Sequence, residues 1–234
     1  MIFRGLMLSL PPFLIMLALA VWGWLVTPEG AQVPVHFAAD GSVNRYGSRL
    51  EAFGLIPLMA VGLSGLFALV PVIDPRGGNL RRSRPVVLVS WAGTIWLLAL
   101  VQGLITVTVT GLLGDAGWIP RLVGVATGVL FIGIGNVMGK ARPNWFVGIR
   151  TPWTLSSDRA WDVTHRWGGR LFVLAGLVSA IAMLVLPLEA GFVVLIGATL
   201  GAAFVPMVLS YFVWRSDPAR ETYSAPRSGD DAES

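Results

Sequence analysis

The chain has 234 residues, of which 55% are hydrophobic and only 13% charged, and its mean hydropathy is +0.72. Soluble domains are about a quarter charged, so this composition excludes an ordinary soluble fold and predicts an all-α integral membrane protein. The net charge of +4 comes from sixteen arginines and the single Lys140 against thirteen acids, set between apolar runs where membrane orientation needs them, which argues against direct nucleic-acid binding; with no cysteine, disulfides, thiolate metal sites and a cysteine nucleophile are excluded.

Residues 3 to 26 are apolar apart from Arg4 and Ser9, enough to cross a hydrocarbon core that needs about 20 helical residues, with Pro11-Pro12 expected to kink the span near its inner end. A cleaved signal peptide is the rival, because Ala18-Leu19-Ala20 resembles a cleavage triplet, yet the apolar run continues through Val26. Thr27 to Leu50 is a polar loop in which Pro34 enforces an extended entry and Asp40-Gly41 signals a turn, so a small hairpin is expected. A second span covers 52–73, an arginine-rich loop covers 74–85, and a third span covers 86–113 with Gln102 and four threonines. Residues 114–120 form a turn. A fourth span runs from 122 to about 138, a fifth from 171 to 186 and a sixth from about 190 to 214.

These spans predict a six-transmembrane helix bundle with an extracytoplasmic hairpin after the first span and an interfacial helix between the fourth and fifth. The domain reading is a two-span unit at 1–75 with its outer loop at 27–50, a linker and third span at 76–120, a three-span unit at 121–214, and a disordered tail at 215–234. Fourteen of the seventeen Lys and Arg residues fall on the side that holds both termini, so both termini are expected in the cytoplasm.

The long polar interval from Asn136 to Arg170 is the centre of this reading. It gathers Lys140, Arg142, Arg150, Arg159, Arg166 and Arg170 with Trp145, Trp153, Trp161 and Trp167, a mixture suited to the headgroup layer. The X-Pro pairs Arg142-Pro143 and Thr151-Pro152 predict an ordered loop with extended pieces over 141–155. Ser156 or Ser157 then caps a short amphipathic helix with Trp161, Thr164, His165 and Gly168 on one face.

Chemistry is sparse. His36 and His165 fall on opposite faces of the bilayer and cannot share a metal, and every Asp and Glu lies in a loop, a tail or a span end, which argues against a proton-coupled pump. A membrane enzyme is disfavoured because no acid pair, nucleophile with base or metal cluster assembles on one face, and no cofactor is implied. Gly124-x-x-x-Gly128, Gly135-x-x-x-Gly139 and Gly197-x-x-x-Gly201 permit close helix approach, more simply within the chain than between chains. The binding residues expected on the inner face are Asn136, Lys140, Arg142, Asn144, Trp145, Arg150, Thr151, Trp153, Trp161, His165 and Arg166, whose guanidiniums and indoles suit a phosphate, a carboxylate or an acidic protein surface. On the outer loop they are His36, Phe37, Asp40 and Tyr46.

Gly135-Asn136, Gly139-Lys140, the run Arg142-Pro143-Asn144-Trp145-Phe146-Val147-Gly148-Ile149-Arg150-Thr151-Pro152-Trp153-Thr154-Leu155, Trp161, Thr164-His165-Arg166 and Gly168-Gly169 closely resemble the signature of SdpI-type membrane proteins. Pro34-Val35-His36-Phe37, Asp40-Gly41 and Tyr46-Gly47-Ser48 resemble a short domain of unknown function often attached N-terminally to it. The resemblance implies a multi-span protein of the bacterial plasma membrane that confers immunity to a secreted peptide toxin and, on sensing it, recruits a cytoplasmic winged-helix repressor. The alternative keeps the fold and makes the protein a binder or transporter of a lipid or amphiphile with an anionic headgroup.

Overall fold

The computed structural model describes residues 1–74, 77–112 and 117–220. In chain order the elements are α1 (Ile2–Val26), β1 (Val33–Phe37), β2 (Val43–Gly47), α2 (Arg49–Ile73), α3 (Gly77–Arg82), α4 (Arg84–Thr110), α5 (Ile119–Met138), α6 (Pro152–Leu155), α7 (Asp158–Val185) and α8 (Leu188–Arg215). Six of these, α1, α2, α4, α5, α7 and α8, are long and apolar enough to cross a membrane. Their outward faces carry bare apolar side chains such as Leu58, Leu69, Val185, Val193 and Phe212. Surfaces of that kind are stable against lipid and not against water, so the chain is a multi-pass membrane protein.

Two packing groups make up the bundle. In the first, α1 lies along α4 and both touch α2; in the second, α7 packs between α5 and α8, and α4 meets α5 to join the two. Trp91 of α4 is fully buried beside Met16 and Ala60, stacks on Phe67 at 5.7 Å and donates its indole N–H to Ser64 Oγ at 3.2 Å. Gln102 of the same helix gives its amide to the Ala52 carbonyl, and the Thr106 hydroxyl gives its hydrogen to the Leu19 carbonyl, so these two donors tie the third span to neighbouring backbones.

The crossing of α5 and α7 depends on glycine. A Cβ at Gly128 would lie 2.6 Å from the Gly176 carbonyl oxygen, and one at Gly135 would lie 2.6 Å from that of Gly169, so any side chain there would drive the two helices apart. Gly124 meets Met183 in the same seam, and these spacings serve packing within the chain. Gly197 and Gly201 face open space.

The expected hairpin is present: β1 and β2 pair antiparallel from Val33 opposite Gly47 to Phe37 opposite Val43, with an irregular register between. Its tip turns at Gly41, whose φ of +89° suits glycine, and a Cβ there would lie 2.8 Å from the Gly117 carbonyl oxygen and 3.1 Å from Leu188. The hairpin therefore sits on the α4–α5 and α7–α8 ends of the bundle. Asp74, Asn79 and Ser83 meet the 139–157 loop at the opposite end, which is the alternation that six spans require.

Three details differ from the sequence reading. The helix capped by Ser157 does not stop near Arg170 but continues unbroken into the fifth span, because Gly168 and Gly169 spend their small size on the helix crossing and nothing between them and Val185 breaks the helix. Within 141–155, otherwise non-helical as expected, Thr151 starts the single turn α6 with Pro152 at its first position, where a missing N–H costs nothing. Residues 216–220, expected in the tail, fold back onto α7; residues 221–234 and residues 114–116 of the expected turn lie outside the described residues.

Candidate functional site

The 141–157 loop is built by side chains that point inward. Asn144 is completely buried and all of its polar capacity is used: its amide donates to the carbonyls of Arg142 (2.8 Å) and Val147 (3.0 Å), and its Oδ1 accepts from the N–H groups of Phe146 (2.9 Å) and Val147 (2.7 Å). One side chain thus replaces the backbone pairing that Pro143 prevents.

His165 does the same from α7. Its Nε2 accepts the Ile149 N–H at 2.9 Å while Nδ1 lies 2.8 Å from the Trp161 carbonyl, so the proton belongs on Nδ1 and the ring is held neutral between two backbone groups. The loop reaches this contact through Gly148, whose φ is +118° and whose hypothetical Cβ would lie 2.2 Å from Nε2. Trp161, also fully buried, stacks on His165 at 4.1 Å and donates its indole N–H to the Ala141 carbonyl. Thr151 and Thr154 cap each other across α6, and the Thr151 hydroxyl lies 2.9 Å from that of Ser210 on α8.

Partners from the earlier connection hold the loop from the other side. The Ser83 hydroxyl accepts the Arg142 N–H at 2.8 Å, Asn79 gives its amide to the Pro143 carbonyl, and Asp74 accepts the Trp145 N–H. At the far edge Ser157 caps α7 through the Ala160 N–H and donates its own hydroxyl to the Asp217 carboxylate. That bond, with the Ala219 N–H and the nearby Arg159 and Arg220, holds the Asp217 carboxyl below its ordinary pKa.

The residues expected to bind thus divide into two sets. Asn144, Thr151, Trp161 and His165 are interior and hold the loop's shape; Asn136, Lys140, Arg142, Trp145, Arg150 and Arg166 are exposed, and Trp153 is half-buried edge-on against Tyr211. Arg142 and Arg166 share the Asp162 carboxylate at 3.5 and 3.7 Å, and the Arg150 guanidinium donates to the Trp145 carbonyl. A polar hollow of about 400 Å³ opens between α3, this loop and α7, lined by Asn79, Arg82, Arg142, Asp158 and Asp162. Sequence reasoning missed Asn79, Ser83, Ser210 and Asp217, because hydrogen-bond partners 59 to 64 residues away leave no local pattern.

At the other end, His36 Nδ1 pairs with Asn44 Oδ1 at 2.6 Å, not with Asp40. Asp40 accepts from the Ser42 hydroxyl and N–H, which lowers its pKa and fixes the turn. Tyr46 is 54% exposed, and Phe37 with His36 covers a cavity of about 220 Å³ whose floor includes Ile105, Val123 and Phe192.

Fold and site together define a multi-pass helical membrane protein with a small hairpin at one end and a braced, cation-bearing loop at the other. Residues 140–210 match the SdpI/YfhL protein family, and residues 13–61 match a domain of unknown function, DUF1648. The likeness to the SdpI/YfhL family takes in the braced loop, α7 and most of α8, and the likeness to DUF1648 takes in the second half of α1, the hairpin and the first half of α2. It is 33% identical over 63 residues to the Immunity protein SdpI of Bacillus subtilis (strain 168), a stretch covering 27% of this chain and 30% of that relative. No solved structure matches.

Proposed function

We propose that this protein is a membrane immunity protein of the SdpI type, protecting a bacterial cell from a secreted peptide toxin at the plasma membrane, with the braced loop and both termini in the cytoplasm. The observation that carries the reading is the SdpI/YfhL match over residues 140–210, which takes in the whole braced loop, α7 and most of α8. The partial likeness to a relative named as an immunity protein supports it. A secreted peptide arrives at the hairpin side, where His36, Phe37, Asp40 and Tyr46 offer a mixed polar and aromatic surface over a small apolar cavity. On the inner side Lys140, Arg142 and Arg150 offer cations to an acidic partner such as a winged-helix repressor.

The test is to express the protein in a toxin-sensitive cell and challenge it, alongside a His36→Ala/Asp40→Ala variant confirmed to reach the same membrane level. Protection by the unaltered chain, reduced in the variant, is the expected result; absence of protection by the unaltered chain overturns the reading for that toxin. Reporter fusions at Ala39 and Ser83 should read outside and inside respectively, and an inverted result reverses the sidedness.

A further inference from the structure

On the braced-loop side, α5 and α7 part where their glycine contact ends and leave a cleft of about 380 Å³ lined by Gly135, Asn136, Gly139, Arg166, Gly169 and Arg170, with Val173 at its base. The lining contains two guanidiniums, one carboxamide and no carboxylate. Arg166 shares Asp162 with Arg142, and Arg170 forms no ion pair among the described residues. Arg170 instead lies over the Trp167 ring, 5.1 Å from guanidinium to centroid, and Trp167 is itself 48% exposed on the outer surface of the helix. Stacking of this kind holds a guanidinium plane in place while leaving its N–H edge free to donate.

The cleft also has a direction. Arg166, Arg170, Val173 and Leu177 fall at i, i+4, i+7 and i+11 on α7, so one face changes from cationic to apolar along its length. Arg170 is the last charged residue before the apolar run 171–185, and the exposed Leu177 continues the stripe toward the middle of the span. A free anion would use only the upper half of this surface. An amphiphile with a phosphate above and an acyl chain below would use all of it.

We propose that the α5–α7 cleft is a binding site for an anionic phospholipid of the adjacent leaflet, whose phosphate is held by Arg166, Arg170 and the Asn136 carboxamide and whose acyl chain lies along Val173 and Leu177. Gly139, exposed at the end of α5, leaves the mouth of the cleft without a side chain, while the Gly135–Gly169 contact closes its floor. The site depends on no part of the immunity reading, so failure in the toxin challenge leaves it standing.

Native mass spectrometry of the full chain, released from nanodiscs containing equal phosphatidylglycerol and phosphatidylcholine, tests the site. The unaltered protein should retain phosphatidylglycerol preferentially. Arg166→Gln/Arg170→Gln should weaken retention about 10-fold or more, as loss of two charge-assisted contacts implies. Asn136→Asp, which adds a negative charge and leaves both arginines in place, should weaken it as well and decides the matter alone if the double variant is not monodisperse. Arg81→Gln/Arg84→Gln removes exposed cations from the same side without touching the cleft and should leave retention unchanged. Equal retention of the two lipids overturns the proposal, as does equal loss in the Arg81/Arg84 control, which would mean general surface attraction. Competition by inorganic phosphate at the lipid's own concentration would identify a free-anion site and also overturn it.

Discussion

The two polar ends of this protein use similar residues in opposite ways. At the braced loop the polar side chains nearest the backbone are interior: Asn144, Thr151, Thr154 and His165 are at most 3% exposed, and each binds backbone or another buried group. At the hairpin, His36 and Asp40 are exposed and bond only within the hairpin, His36 across the strands to Asn44 and Asp40 within the turn to Ser42, while a few apolar contacts such as buried Val33 attach the hairpin to the bundle. An interior hydrogen bond costs far more to break than an exposed one, because the orphaned partner cannot turn to water. The loop is therefore a scaffold whose polar interior is sealed and whose cations face outward, whereas the hairpin's polar groups are solvent-exposed.

The severest way to break this contrast is Gly148→Ala. The substitution forces a side chain into the left-handed region and against the His165 ring, and it should cost at least about 3 kcal/mol, read as a large drop in Tm or loss of monodisperse protein. A variant that melts with the parent would mean the loop is not held on His165. Asn144→Ala should come next, roughly 2–4 kcal/mol, since four backbone groups lose their partner at once.

A gentler probe is acid. Because the folded Asp217 carboxyl titrates below its ordinary 3.8, the stability it adds is fully present above that pH and is lost as pH falls through the lower folded value. Asp217→Asn should flatten that part of the Tm-against-pH curve, and an unchanged acid limb would remove Asp217 from the bracing. The smallest effect expected is that of His36→Ala, within about 0.5 kcal/mol by thermal melt, since its bond is solvent-exposed. Should His36→Ala destabilise as much as Asn144→Ala, the division into scaffold and free surface fails.

Much of this was legible in the sequence. Six apolar runs of spanning length, the turn at Asp40-Gly41, and a serine before Asp158 each follow from local chemistry, and the structure has all three. The continuity of α7 was not legible, because a Gly-Gly pair reads as a weak point until the neighbouring helix that needs it is in place. Nor does residue type alone tell facing: Asn144 and Trp145 are adjacent and equally plausible as ligand contacts, yet one is sealed and the other is 46% exposed. Arg170 was read among the headgroup-layer cations but not among the expected binding residues, although its i+4 spacing from Arg166 was readable.

The hydroxyl pair of Thr151 and Ser210 has a mechanical corollary. Ser210 lies near one end of the 28-residue α8, a strut of about 42 Å at 1.5 Å per residue, while Leu188 and Phe192 at its other end sit against the hairpin tip and the cavity beneath it. Both polar ends are thus fastened to the same stiff member, and Pro206, one turn before Ser210, is the proline inside it. A rigid shift of α8 along its axis would therefore displace both contacts together, and Pro206, which removes one hydrogen bond from the helix, lies between them.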